Sequence, residues 1–429
     1  MDSSGKPNMF STDDRMEHSM KRKRLANIFS PQNVLAFEPR VRNCIQQFCA
    51  QWDMRCLKAA HGISGVNWTA SNGRAVIDAC PQFAYLALDI IGDLALGSPF
   101  GLIHAQRDSS VAIDSIDALG EPQIRMVEVP IIKINANEGM ITMAVGVFPS
   151  WTHNFLRLLP WNISGILHSA KFFNLTKASV DARLKRGPRV ASEDGKGSID
   201  LVDRLLEVRN EDGTPLTTDE LYAEALLLLA AGSDTTSNTL GSLCYHLTIY
   251  PKAQQKLQSE LDQHVSYDPS DETDGEQGVV FPPCQAVTRY DMIKNLPYLN
   301  ACVKEALRIH STIGTGLPRV VPPGKTVTVA RQIFKSGSVI SIPSYTTHRS
   351  SVWGNDAGEF RPERWLEDSA GLLNKYFVPF SVGPRACIGR NLAYMNLMTI
   401  TATIFRRYHM EALPTTKVPV TNIFIISGR

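Results

Sequence analysis

Apolar residues recur at helical spacing through most of this chain and at strand spacing only near residue 330. Helical periodicity begins near Asp14 and continues past Arg24 until Phe29-Ser-Pro31 closes it. Amphipathic helices follow at 41–60 and 83–96, and the second is almost wholly apolar, which places it centrally. The segment 66–74 between them reads as a polar turn. Residues 100–190 alternate short apolar pieces with Pro122, Pro130, Pro149 and Pro160 and include Trp151 and Trp161. This is the pattern of helices and loops forming an apolar cover, and 183–196 is then a charged, mobile connection. Thr217-Thr-Asp-Glu220 is a capping box that opens the longest helical pattern, which runs to about Tyr250. At the helical rise it spans on the order of 50 Å. After an acidic loop at 266–278, a helix starts at Asp291 and carries 295–308. Strand-like pieces at 326–330, 332–334 and 339–343 are the one convincing β region. The pattern predicts a mainly α fold with a small β region, preceded by a loop-like or disordered stretch at 1–14.

Composition narrows this little. The 429 residues suit one large domain or two to three ordinary ones, and 43% apolar with 20% charged is a soluble globular balance. A net charge of +2 from 44 basic and 42 acidic residues gives no global field toward nucleic acid. The 8 cysteines are scattered with no CxxC pair, which is poor spacing for zinc and fits a reducing compartment. No apolar run reaches the length of a membrane span, since 221–232 is short and carries Glu224.

Candidate chemistry concentrates at Phe380-Ser-Val-Gly-Pro-Arg-Ala-Cys-Ile-Gly389. Gly383 and Gly389 permit bending and close approach, and Cys387 stands at the head of an apolar helix-like run. Helix-end amides and the nearby cation Arg385 favour a thiolate, the form that binds soft metals. A single thiolate with no second cysteine or histidine beside it points to axial haem ligation rather than zinc or an iron–sulfur cluster. Inside the long helix, Ala231-Gly-Ser-Asp234-Thr235-Thr236 sets poor helix formers where they distort the hydrogen-bond ladder. Either it is a packing site for a crossing helix, or Gly232 opens space for a diatomic molecule while Asp234 and Thr235 relay protons. Glu305 and Arg308 lie one turn apart in an apolar helix, and Phe360-Arg-Pro-Glu-Arg364-Trp365 supplies an arginine to complete a buried network. Lys21-Arg22-Lys23-Arg24 beside His18 reads as a solvated face, as a propionate contact through His18 and Arg22, or as a docking patch for an acidic electron donor.

Four separated signatures agree in order and spacing: F-x-x-G-x-R-x-C-x-G, A-G-x-D-T-T, E-x-x-R and F-R-P-E-R-W. Together they resemble the cytochrome P-450 monooxygenases along nearly the whole chain. His18 to Pro31, 305–319 and 344–365 look most similar to fungal members of the benzoate para-hydroxylase type. The resemblance implies one catalytic domain over 1–429, a triangular helical prism around haem b, with Cys387 as the axial thiolate. It implies that Arg385, Arg319, His18 and Arg22 contact propionates and that Phe380 packs on the cysteine. Asp234 and Thr235 would deliver protons to bound dioxygen, and Glu305, Arg308 and Arg364 would form a buried triad behind the haem. It further implies hydroxylation of a small organic substrate, an aromatic acid such as benzoate or a fungal secondary metabolite. Electrons would come from NADPH through a cytochrome reductase docked on a basic proximal surface. The protein would be a monomer on the cytosolic face of the endoplasmic reticulum membrane or, lacking a transmembrane segment, soluble in the cytoplasm, with no nucleic-acid partner. A haem-thiolate enzyme for peroxide rearrangement is the other catalytic reading, disfavoured by the retained Asp234-Thr235 pair. Thr312, Ile313, Thr315 and the Ala230/Ala231 face are expected to line the pocket. Relative to the family, about a hundred residues before His18 are missing, including an anchor and most of the first sheet. Strands 326–343 are therefore expected to expose unpaired edges, and a truncated, catalytically impaired haem protein is the alternative to an active enzyme.

Overall fold

The computed structural model describes residues 6–116, 122–136, 148, 152, 155–156, 159–185, 187, 200–210, 213–265, 287–414, 416 and 423–428. Helices dominate: α1 Arg15–Ala26, α2 Glu38–Ala60, α3 Ala79–Leu96, α4 Pro160–Lys185, α5 Leu201–Glu207, α6 Thr218–Ile249, α7 Pro251–His264, α8 Pro297–Ile309 and α9 Arg390–Arg407. Among the described residues, single helical turns such as Pro31–Leu35, Leu102–Ala105 and Ser344–Thr347 stand between some of them.

α6 is the axis. Thr217 Oγ1 accepts the Glu220 amide at 3.3 Å while a Glu220 carboxylate oxygen accepts the Thr217 amide at 2.9 Å. This reciprocal cap satisfies two helix-end donors and fixes where the helix starts. The Ser-Asp-Thr stretch does not break it. Ser233, Thr235 and Thr239 donate their hydroxyls back to Leu229, Ala231 and Thr235 carbonyls at 2.9, 2.8 and 2.8 Å. The polar side chains are therefore satisfied locally and the helix stays continuous.

α3 lies along α6 and is the helix most deeply enclosed. It is long and apolar enough to cross a membrane by composition, yet 83% of that window is buried inside the protein. Against its other side stand α2 and an aromatic cluster in which Trp52 lies 4.7 Å from Phe48 and 5.4 Å from Tyr408, ring centre to ring centre. α9 is buried over most of its length between α2, α6, α7 and α8.

More of the chain is sheet than the pattern predicts. The expected polar turn 66–74 holds β1 Trp68–Ser71, which pairs antiparallel with β2 Arg74–Asp78. Asn72 and Gly73 connect them with φ of 50° and 73°, the left-handed pair that a two-residue hairpin requires. β9 Tyr408–Ala412 and β10 Ile423–Gly428 extend the sheet in the order β1-β2-β10-β9, with Ile425 opposite Val76 and Glu411. β3 Ser110–Ile116 pairs antiparallel with β4 Pro122–Val129. Near residue 330, β5 Arg319–Val320 pairs with β8 Val339–Ile340, and β6 Val327–Val329 with β7 Gln332–Phe334. These are two-stranded ribbons whose Val320, Ile333 and Val339 are 64–70% exposed, so their outer edges and faces meet solvent.

Two loop expectations change. Residues 6–14 form a loop packed on the body: Met9 is buried and its amide donates to Glu224 at 3.0 Å. Arg183, expected in a mobile connection, is 1% exposed, donates Nε to Asp200 at 2.5 Å and pairs through Nη2 with Asp203. A buried guanidinium needs such partners, and these tie the end of α4 to the start of α5. Residues 1–5, the remainder of that connection at 188–196, Trp151 and the acidic loop 266–278 lie outside the described residues.

Candidate functional site

The cysteine loop is shaped by its backbone. Ser381 and Gly383 adopt φ of 58° and 75°, both left-handed. The Ser381 amide donates to Val378 at 3.0 Å, the Ala386 amide to Gly383 at 3.0 Å, and the Cys387 amide to Phe380 at 2.8 Å. Phe380 presents its ring to Tyr394 of α9, 5.2 Å away. No protein atom comes within 4 Å of the open side of Gly383, and at Gly389 only Cys387 Sγ lies that near, at 4.0 Å. Both glycines therefore border space that the chain itself does not fill.

Cys387 is exposed at the surface of the chain, and the protein around it raises its thiol pKa through desolvation. The Gly389 amide and the Arg22 and Arg390 cations oppose that rise without cancelling it. This differs from the expected arrangement, in which Arg385 lies beside the sulfur and thiolate is favoured outright. Arg385 instead donates to the Thr12 carbonyl at 2.8 Å, and Arg22 reaches the Ala386 carbonyl at 2.6 Å.

His18, Arg22, Arg319 and Arg385 converge. Burial lowers the His18 pKa, and the positive charges of Arg385, Arg22 and Arg319 lower it further. Arg385 is depressed by burial and then by Arg319. Among the described residues, none of the four is ion-paired with a carboxylate. The chain has thus gathered three guanidinium groups around a neutral imidazole, an arrangement that a ligand carrying two carboxylates would neutralise. The rest of the basic run does not form an outward patch. Lys21 is 6% exposed, 3.6 Å from Glu17 and 3.9 Å from Glu224, and Arg24 lies 3.8 Å from Glu220. Lys23 alone of Lys21–Arg24 is exposed, because the other three face α6 or the cysteine loop.

Glu305, Arg308 and Arg364 are brought together at 0–3% exposure. Arg308 grips the Glu305 carboxylate with Nε and Nη2 at 2.9 and 2.8 Å, and Arg364 Nε adds a bond at 2.9 Å. The indole of Trp365 and the amide of Arg361 complete the shell at 2.9 and 3.0 Å, contacts that the pairing of charges alone did not reveal. The remaining guanidinium hydrogens go to the carbonyls of His348, Ala357, Glu359, Trp353 and Asp356. Every lobe of this buried charge set is satisfied, which is the condition for tolerating it.

On α6, Gly232 faces a crossing helix. A Cβ there would stand 2.8 Å from Ile91 of α3, so the glycine allows helix–helix contact instead of opening a diatomic pocket. Asp234 is half-buried, burial raises its pKa, and a hydrogen bond from Asn135 partly offsets this. Asn135 was not legible as a site residue. One turn apart along one face, Ala231, Thr235 and Thr239 lead to Thr312, whose hydroxyl lies 3.2 Å from that of Thr239. Ala231, Ile313 and Thr315 are exposed and Ala230 is half-buried.

Comparison with known proteins accords with this geometry. A family model described as Cytochrome P450 matches residues 3–427. The chain is 36% identical over 410 residues to benzoate 4-monooxygenase of Aspergillus niger, covering 94% of itself and 72% of that protein. It is 28% identical to pisatin demethylase of Fusarium vanettenii, covering 94% and 69%. A retinoic acid-bound cyanobacterial cytochrome P450 superposes with a TM-score of 0.69 over 99% of this chain and 82% of that one, at 19% identity, a likeness of fold alone. Fold, sequence and gathered residues converge: the chain belongs to the cytochrome P450 family and is a haem-thiolate monooxygenase.

Proposed function

We propose that this protein hydroxylates a small organic substrate, an aromatic acid of the benzoate type, with Cys387 as the axial ligand of its haem. The observation that carries the assignment is the convergence of Arg22, Arg319 and Arg385 on His18 beside the cysteine loop, with Arg22 acting on both His18 and Cys387 and none of the four ion-paired among the described residues. Haem on a cysteine thiolate supplies the oxygen activation by which one atom of dioxygen enters a C–H bond and the other leaves as water, consuming two electrons and two protons. His18, Arg22, Arg319 and Arg385 would hold the haem propionates, the three guanidiniums by charge-assisted bonds that relieve their mutual repulsion and the neutral imidazole by a ring hydrogen bond. Phe380 would pack against the cysteine ligand, its ring held by Tyr394. The Glu305–Arg308–Arg364 set fixes the chain behind the site. Asp234 holds and delivers a proton. Thr235, its hydroxyl hydrogen committed to Ala231, offers lone pairs to an incoming donor. The wall facing the substrate is Ala230, Ala231, Thr312, Ile313 and Thr315.

Electrons reach the site from NADPH through a reductase at the cytosolic face of the endoplasmic reticulum. The exposed cations flanking the cysteine loop are Lys23 and Arg390, a smaller docking surface than a run of four. The benzoate reading rests on the 36% identity to the Aspergillus niger enzyme, whose name states that substrate. Oxidation of a larger secondary metabolite is the second reading, favoured by the 28% identity to pisatin demethylase.

Two measurements test the proposal. The reduced, haem-loaded protein should show the red-shifted carbon monoxide band of a thiolate complex, and Cys387→Ala should abolish it; persistence of the band would remove Cys387 as ligand. Titration with benzoate should shift the ferric spin state, whereas a response only to larger apolar compounds would favour the second reading.

A further inference from the structure

The proton-carrying reading of Asp234 leaves open what holds its carboxylate in place. Most buried acids in this protein stand beside a cation: Glu305 with Arg308, Asp200 with Arg183, Glu224 with Lys21. Asp234 does not. Among the described residues it has no ion pair, and the influences on its titration are burial and the side-chain amide of Asn135.

Asn135 lies on a short helical stretch whose Ile131 and Ile134 are fully buried, and it is itself 5% exposed. Its Nδ2 lies 3.1 Å from Ser233 Oγ. The Ser233 hydroxyl hydrogen is committed to the Leu229 carbonyl at 2.9 Å, so that oxygen must accept, and the amide nitrogen of Asn135 must face α6. One Nδ2 hydrogen goes to Ser233, which leaves the second for the carboxylate of the next residue, Asp234.

We propose that Asn135 is a positioning residue for Asp234, clamping its carboxylate to α6 through a neutral amide anchored on Ser233. This rests on Asp234 as the proton carrier. The chemical consequence lies in the neutrality of the clamp. An arginine or lysine would bind the carboxylate tightly and resist its protonation. An amide donates to a carboxylate oxygen and, more weakly, to the carbonyl oxygen of a protonated carboxyl, so it favours the ionised form only mildly. Asp234 can therefore take up and release a proton without losing its place. Removing the amide leaves burial unopposed, so the carboxyl stays protonated to higher pH and is free to turn.

The test uses the haem-loaded protein with Asn135→Ser, Asn135→Leu and Asn135→Gln, and Asp234→Asn as reference. Infrared difference spectra against Asp234→Asn isolate the Asp234 carboxyl band and give its titration midpoint. Asn135→Ser and Asn135→Leu should move that midpoint upward by on the order of one pH unit, and Asn135→Gln should restore part of it. With an NADPH-fed reductase and benzoate, the hydrogen peroxide released per NADPH should rise severalfold in the Ser and Leu variants, with the pH profile displaced in the same direction. An unmoved carboxyl midpoint in a folded Asn135→Ser protein overturns the clamp. A moved midpoint with peroxide release unchanged in both Asn135→Ser and Asp234→Asn upholds the clamp and sinks the proton-carrying reading instead. Peroxide release altered by Asp234→Asn but not by any Asn135 variant, with the midpoint fixed, removes Asn135 and leaves that reading standing. Asn135→Ser keeps the site polar and small, so it answers the question even if the leucine variant fails to fold.

Discussion

His348 and Val378 are joined ring to backbone, the Nε2 of the histidine accepting the Val378 amide hydrogen at 2.9 Å. The acceptor role places the ring hydrogen on Nδ1, which faces Ser311 Oγ at 2.7 Å and the Arg308 carbonyl at 3.1 Å. The His348 carbonyl in turn accepts from Arg308 Nη1 at 2.8 Å. Val378 begins the turn that leads through Phe380 to Cys387, so one fully buried imidazole connects the charge set around Glu305 to the cysteine loop.

Burial pushes the His348 pKa down to about 4, against 6.5 for a free imidazole. The unfolded chain therefore gains a proton below pH 6.5 that the folded chain refuses until about pH 4. This group's contribution is complete above pH 6.5 and is lost as pH falls through that window. His348→Leu should flatten the stability–pH slope between pH 6.5 and 4. At pH 7.5 it should cost about 1–3 kcal/mol by leaving the Val378 amide unpaired, both read from denaturant unfolding.

Glu305→Gln should be far costlier than a surface substitution. It leaves Arg308 and Arg364 buried without their anion, a loss of about 3–5 kcal/mol. Thermal unfolding would measure it, and Arg364→Lys should fail to rescue geometry because lysine cannot supply the fork.

Gly232→Ala tests the packing reading of that glycine. The added methyl meets Ile91 at 2.8 Å and should cost about 1–3 kcal/mol, largely recovered by Ile91→Ala in the same chain. An uncoupled pair in the double-mutant cycle would argue for open space at Gly232 after all.

Arg319→Gln and Arg385→Gln should part haem retention from stability. In the haem-free protein, relief of like charge should leave unfolding unchanged or slightly improved. Haem transfer to an acceptor protein should accelerate by about tenfold for each, one charge-assisted bond being lost. Equal rates in wild type and variants would dismiss the propionate role.

The helical fold was legible because its signals are local. The Thr217–Glu220 cap, Pro251 and the apolar period marked α6 to within a residue or two. The Glu305–Arg308 pair was legible because one helical turn places both side chains on one face. What escaped depends on distant partners. β9 and β10 join β2 across more than three hundred residues, and no local pattern announces that pairing. The Asn72-Gly73 hairpin had a local signal, outweighed by the polarity around it. Lys21 and Arg24 read as outward charges because their acids, Glu224 and Glu220, lie two hundred residues away on α6. Asn135 and His348 carry no motif, and only folding gives each its neighbours.

The clamp of Arg183 on Asp200 and Asp203 has an engineering consequence. It holds the two ends of the segment between α4 and α5 together through buried side chains, so the position of α5 does not depend on the length of chain between them. Doubling that connection would add only about 0.6 kcal/mol of closure entropy. An affinity tag or fluorophore inserted between α4 and α5 should therefore leave the placement of α5 unchanged.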